Sequence, residues 1–86
     1  MKTCLILEDS EIIREIASRI LKELSVAPRE AESAAKGLDD CRATKIDAVL
    51  LDWDLPAMGA LDFLRGAADL APEQKPVIIL CATEND

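Results

Sequence analysis

A chain of 86 residues has room for one small domain, and half of its residues are hydrophobic, which supports a modest core. Seventeen acidic against ten basic side chains leave a formal charge of −7. That balance argues against a nucleic-acid-binding face or an anionic membrane as partner, favours a cation or a basic patch, and leaves no histidine to act as base, metal ligand or phosphoryl carrier.

Taken in order, Thr3 to Leu7 is a short apolar run and predicts a first strand, ended by Glu8-Asp9-Ser10. Asp9 or Ser10 can cap the helix that follows. In that helix Ile12, Ile13, Ile16, Ala17, Ile20, Leu21 and Leu24 form one stripe at helical spacing and predict a core-facing side. Glu11, Arg14, Glu15, Arg19, Lys22 and Glu23 fall on the other side. Ser25 to Ala31 reads as a weak strand, placed at a sheet edge because Pro28 cannot donate to a ladder. Ala34 to Thr44 predicts a second helix with Ala34, Leu38 and Cys41 inward. Ile46 to Leu51 lacks polar alternation and predicts a strand buried on both faces. Ala60 to Leu70 predicts a third helix, with Leu61, Leu64 and Ala68 inward, and Val77 to Leu80 a fourth strand. Thr83-Glu84-Asn85-Asp86 has the pattern of a further helix start.

The order βαβαβαβ predicts a single α/β domain, a parallel sheet with helices on both faces and right-handed crossovers. Cys4, Cys41 and Cys81 are odd in number and lack metal or redox spacing, so they read as small buried hydrophobes of a reducing compartment. The first apolar run is too short for a signal peptide, and no segment approaches a membrane span. A cytoplasmic protein is expected.

Two strand ends carry carboxylates: Glu8 and Asp9 after the first strand, Asp52 and Asp54 after the third. Ligands of open α/β sheets bind beyond the carboxyl ends of the strands, where the strand order reverses. If the first and third strands are neighbours, Glu8, Asp9 and Asp52 converge there. Crowded carboxylates repel, and a hard divalent cation such as Mg²⁺ removes the conflict. An Asp beside Mg²⁺ suits an incoming phosphoryl group. Taken alone, Asp9 reads as a helix cap and Asp54 as a turn residue; the joint placement carries the functional reading.

With Leu5-Ile6-Leu7-Glu8-Asp9-Ser10 followed by Arg14, with Leu50-Leu51-Asp52-Trp53-Asp54-Leu55-Pro56, Met58 and Leu61-Asp62-Phe63-Leu64, and with Pro76-Val77-Ile78-Ile79-Leu80, the chain resembles a response-regulator receiver domain of the chemotaxis-regulator type. The resemblance implies a flavodoxin-like sheet of strand order 2-1-3-4. It implies two-component signalling in which Asp52 is the phosphoacceptor, Asp9 and Asp52 bind Mg²⁺, Glu8 does so through water, and the backbone carbonyl of Asp54 adds a ligand. The donor would be a histidine kinase or a histidine phosphotransfer protein, and the domain would catalyse only its own phosphorylation and dephosphorylation.

Three departures qualify it. The switch hydroxyl at the end of the fourth strand aligns with Cys81, with Thr83 two residues later as the alternative. The usual Asp-Gly after the phosphoacceptor loop is Gly59-Ala60, so the backbone there is expected to turn differently. The fifth strand with its Lys and the last helix have no counterpart, and neither Lys45 nor Lys75, both preceding their strands, can replace that Lys. This reads as an incomplete receiver lacking its C-terminal third, whose open fourth strand invites self-association. Two alternatives stand beside it: a pseudo-receiver that binds partners without phosphorylation, and a haloacid-dehalogenase-like phosphatase using Asp52-Trp53-Asp54.

Overall fold

The computed structural model describes residues 1–82. Four strands, β1 (Thr3–Leu7), β2 (Ala27–Ala31), β3 (Ala48–Asp52) and β4 (Val77–Cys81), form one parallel sheet of order β2-β1-β3-β4. The helices are α1 (Glu11–Glu23), α2 (Ala34–Ala43) and α3 (Gly59–Ala68). The flavodoxin-like α/β architecture expected from the sequence is therefore present. β1 pairs with β2 on one side and β3 on the other, with Leu7 opposite both Ala31 and Leu51. The helix start expected at Thr83 lies outside the described residues.

α1 and α2 each begin where a side chain can accept a free backbone N–H, whereas α3 starts after Met58 with no side-chain cap. Ser10 Oγ accepts from Ile13 N, and Ser33 Oγ from Lys36 N, both at 3.3 Å. α1 ends in a Schellman arrangement: Val26 N donates to Leu21 O and Ser25 N to Lys22 O, with Ser25 left-handed at φ 62°. That turn consumes Ser25 and Val26, so β2 starts at Ala27 rather than at Ser25.

The core lies on the α2/α3 side of the sheet. Leu5 and Leu7 of β1 and Val49 and Leu51 of β3 meet Cys41 of α2 and Ala60, Phe63 and Ala67 of α3. The α3 phase differs from the expected one: Phe63, not Leu61, is fully buried, and Ala68 is exposed. The single aromatic ring of the core takes the inward position because Gly37 of α2 leaves room for its edge, 3.2 Å from where a Cβ would stand. Gly66 of α3 similarly lies against Leu38 of α2, so the two helices approach through small residues.

On the other face the expectations are overturned. α1 crosses β1 and β2 with Arg14 and Ser18 inward, Ser18 being buried, and Ala17 and Leu21 partly covered. Its isoleucine stripe turns sideways into the open: Ile12, Ile20 and Leu24 are 69%, 51% and 67% exposed. The stripe has the predicted spacing but no covering layer among the described residues. β3 is accordingly not buried on both faces, since Val49 and Leu51 are enclosed while Leu50 between them is only partly covered. β4 carries exposed Val77, Ile79 and Leu80.

The turn before α3 is made upstream of Gly59-Ala60. The left-handed conformations fall on Ala57 (φ 55°) and Met58 (φ 59°), while Gly59 is right-handed at φ −57°. Ala60 lies in the first turn of α3 without a positive φ, so the Gly-to-Ala change costs no backbone strain there, and the strain sits upstream.

Two outcomes follow for unfolding in urea. Phe63→Ala is expected to lower stability by about 3–5 kcal/mol, because it empties the largest buried side chain of the core. Ala57→Gly is expected to raise it by about 1 kcal/mol, by relieving an exposed left-handed alanine.

Candidate functional site

The register of β1 on β3 brings both acidic strand ends to one level. Glu8 and Asp9 follow Leu7, Asp52 follows Leu51, and Leu7 lies opposite Leu51. Ligand oxygens of Glu8, Asp9 and Asp52 all lie within 4.8 Å of one another. This is the convergence the sequence predicts for these three residues.

Each backbone segment is held in place. Glu8 N donates to Ala31 O at 3.1 Å, which extends the β1–β2 ladder by one residue. Asp9 N donates to Glu8 Oε2 at 3.1 Å. On the β3 side Asp54 N donates to Asp52 Oδ1 at 2.9 Å, an Asx turn that fixes the aspartate as the chain leaves the sheet. Asp54 contributes that N–H, while its side chain is exposed and not among the converging ligand atoms. Trp53, 45% exposed, sits between the two aspartates, and its N–H donates to Cys81 O.

Crowding has an electrostatic signature. The Glu8 carboxyl is raised from 4.5 to about 7, first by partial burial and then by hydrogen bonding to and the negative charge of Asp52, with Asp9 adding to the repulsion. A site of three carboxylates, one raised to about 7 by burial and by its neighbours, matches the donor chemistry of a hard divalent cation. The acidic cluster can thus coordinate a divalent ion, with Glu8, Asp9 and Asp52 as the side-chain donors.

An open cavity of about 400 Å³ runs from Glu8 and Asp52 toward Ile13 and Ala17 of α1, with Leu50 and Cys81 on its sheet side. Cys81 is the register partner of Asp52, and burial, Asp52 and Glu8 together push its thiol up. It therefore stands beside the aspartate as a neutral group; Thr83, the alternative switch position, lies outside the described residues. No lysine or arginine of the described residues lines this cavity. Lys45 donates to Glu73 O at 3.0 Å at the opposite end of the sheet, as its place before β3 requires. No helix of the described residues is long and apolar enough to cross a membrane.

The resemblance includes Arg14 in its first motif without giving it a role, and periodicity misplaces it. Periodicity assigns it to the outer side of α1, yet its side chain is only 13% exposed, and its Nη1 donates to Glu8 O at 2.7 Å. A cation four residues after an acid-rich strand end was the available signal.

Comparisons agree with this geometry. The model of the family described as the response regulator receiver domain matches residues 4–86. The response regulator UvrY of Escherichia coli O6:H1 is 30% identical over 87 aligned positions, covering 99% of this chain and 40% of that protein. The chain thus spans about two-fifths of that curated relative's length. The MaeR response regulator bound to beryllium trifluoride superposes with a TM-score of 0.81 at 25% identity, over 100% of this chain and 70% of that one. A response regulator from Burkholderia pseudomallei, solved with a phosphorylated aspartic acid, a calcium ion and citrate, has a TM-score of 0.82 at 23% identity, over 95% and 47% respectively. These matches displace the haloacid-dehalogenase alternative.

The raised Glu8 sets the sign of the pH response. The folded chain keeps this proton from about pH 4.5 to about 7, where the unfolded chain has lost it. Its contribution to stability is therefore full below 4.5 and gone once the pH passes about 7. In chelator, the melting temperature should fall between about pH 5 and about pH 8, and Glu8→Gln should flatten that fall. Because a cation must displace the same proton, divalent affinity read by Trp53 fluorescence should tighten as pH rises through about 7.

Proposed function

The chain belongs to the response regulator receiver domain family, and on that premise we propose that Asp52 is its phosphoacceptor in two-component signal transduction. The observation that carries the reading is the meeting of Glu8, Asp9 and Asp52 at the ends of adjacent strands. Receiver domains of this kind catalyse only their own phosphorylation and dephosphorylation, and the family works with histidine kinases or histidine phosphotransfer proteins. The donor for this chain is taken to be a phosphohistidine on one of these.

In the transfer, an Asp52 carboxylate oxygen attacks phosphorus, the phosphorus–nitrogen bond to imidazole breaks, and the imidazole nitrogen retains the electron pair. Asp52 Oδ1 is already engaged by the Asp54 N–H, which leaves Oδ2 as the attacking atom in this arrangement. Mg²⁺, held by Asp9 and Asp52, by Glu8 and by the Asp54 carbonyl, would neutralise charge on the transferred phosphoryl oxygens. Glu8 and Asp9 keep the acidic end of the pocket selective for such a cation. Cys81, the register partner of Asp52, would sense the phosphorylated state, with Thr83 as the alternative read from the sequence.

A second reading, a pseudo-receiver that binds partners without phosphorylation, is favoured by the thiol beside Asp52, a weak donor where the resemblance calls for a hydroxyl. Incubation with Mg²⁺ and a small acyl phosphate separates the two. One phosphoryl group is expected by intact mass, lost on hydroxylamine treatment and absent in Asp52→Asn. No modification of a folded chain that binds the cation would establish the second reading instead.

A further inference from the structure

The inward face of α1 is polar where packing alone would ask for an apolar residue. Arg14 lies under the helix with its side chain 13% exposed, and its guanidinium divides its donors between two elements. Nη1 reaches the backbone carbonyl of Glu8 at 2.7 Å, and Nε reaches Glu30 Oε1 on β2 at 3.2 Å. The other Glu30 oxygen accepts from Ser18 Oγ at 3.1 Å, one turn further along α1. Arg14 is thus oriented by an acid that is itself anchored to the same helix.

The consequence falls on Glu8. Its N–H is bound by the Ala31 carbonyl and its C=O by Arg14. The two bonds come from β2 and from α1, and neither uses the Glu8 side chain. Strand pairing alone would fix the N–H and leave the carbonyl, and with it the plane of the Glu8–Asp9 peptide, held only by the bond from Asp9 N to the mobile Glu8 carboxylate. The guanidinium fork supplies a firmer hold, being planar, permanently charged and able to bridge two acceptors at once.

The geometry points to Arg14 as a positioning residue: with Glu30 and Ser18 it holds the Glu8–Asp9 peptide so that both carboxylates face Asp52. It touches neither the cation nor the phosphoryl group and acts through the backbone of the residues that do. Groups that orient metal-binding side chains commonly change affinity by roughly 10–100-fold when removed. This inference rests on the reading of Glu8, Asp9 and Asp52 as a divalent-ion site.

The test uses Arg14→Gln, Arg14→Lys and, as a control on the exposed side of the same helix, Arg19→Gln. Mg²⁺ titration followed by Trp53 fluorescence should show affinity reduced roughly tenfold or more in Arg14→Gln. Arg14→Lys, which can reach one acceptor but not bridge both, should fall between it and the parent, and Arg19→Gln should match the parent. Hydrogen exchange of the Glu8 and Asp9 amides in metal-free protein should quicken in Arg14→Gln relative to the amides of β3. Should Arg14→Gln fail to fold, Arg14→Lys carries both measurements. Parent-like Mg²⁺ affinity in both Arg14 variants overturns the inference while leaving the site reading intact. If the parent itself binds no Mg²⁺, the site reading falls, and quickened exchange then upholds only Arg14's hold on the turn; unchanged exchange overturns that as well.

Discussion

The in-register parallel pairing of β1 with β3 is the constraint from which the rest of this structure follows. It sets Leu7 opposite Leu51, so that two acidic segments leave the sheet at the same height. A slip of one residue would turn each side chain of β3 to the other face and remove Asp52 from the cluster. The register is held by the α2/α3 core, because Leu5, Leu7, Val49 and Leu51 are buried on one face against Phe63. The core therefore serves the site directly: the contacts that stabilise the sheet also align the carboxylates.

What the alignment produces is a repulsive arrangement that the fold tolerates. Glu8 and Asp52 are forced together in a partly buried setting, and the chain answers by holding a proton on Glu8 near neutral pH. Structural economy would have placed a lysine there. Among the described residues the cations lie elsewhere: Lys36 and Arg29 offset the burial of Asp40 and hold its carboxyl low, and Arg14 faces a carbonyl rather than a carboxylate of the cluster. Net negative charge is thus concentrated where a divalent ion would be received.

The sequence made the sheet order, its parallel sense and the Glu8–Asp9–Asp52 convergence legible, because each depends on local signals: apolar runs, their abrupt polar ends and the spacing of crossover helices. It misjudged burial. The α1 stripe from Ile12 to Leu24 has the spacing of a core face, but periodicity reports only that residues share a side, not that another layer covers it. In α3 the stripe was displaced by about a residue, since Leu61, Leu64 and Ala68 lie on the rim of a face centred on Ala60, Phe63 and Ala67. The choice of Phe63 depends on the notch at Gly37, a tertiary fact that α3's own sequence does not contain. Arg14, part of the first motif of the resemblance, is misplaced by periodicity for the complementary reason, since charge alone does not report exposure.

Those errors share a cause that bears on how the site is built. One face of the sheet is an ordinary packed core, and the other is joined to α1 through a polar seam of Arg14, Ser18 and Glu30. Apolar burial is non-directional and sets a helix's orientation only through the fit of its side chains, whereas hydrogen bonds add a fixed donor direction. The seam costs hydrophobic burial along α1, and in exchange it couples the orientation of the helix to the backbone of Glu8. A loop of three polar residues, Glu8 to Ser10, joins β1 to α1. In so short a connection any rotation of α1 would be passed to the acidic turn, so locking the helix and locking the site are the same physical act.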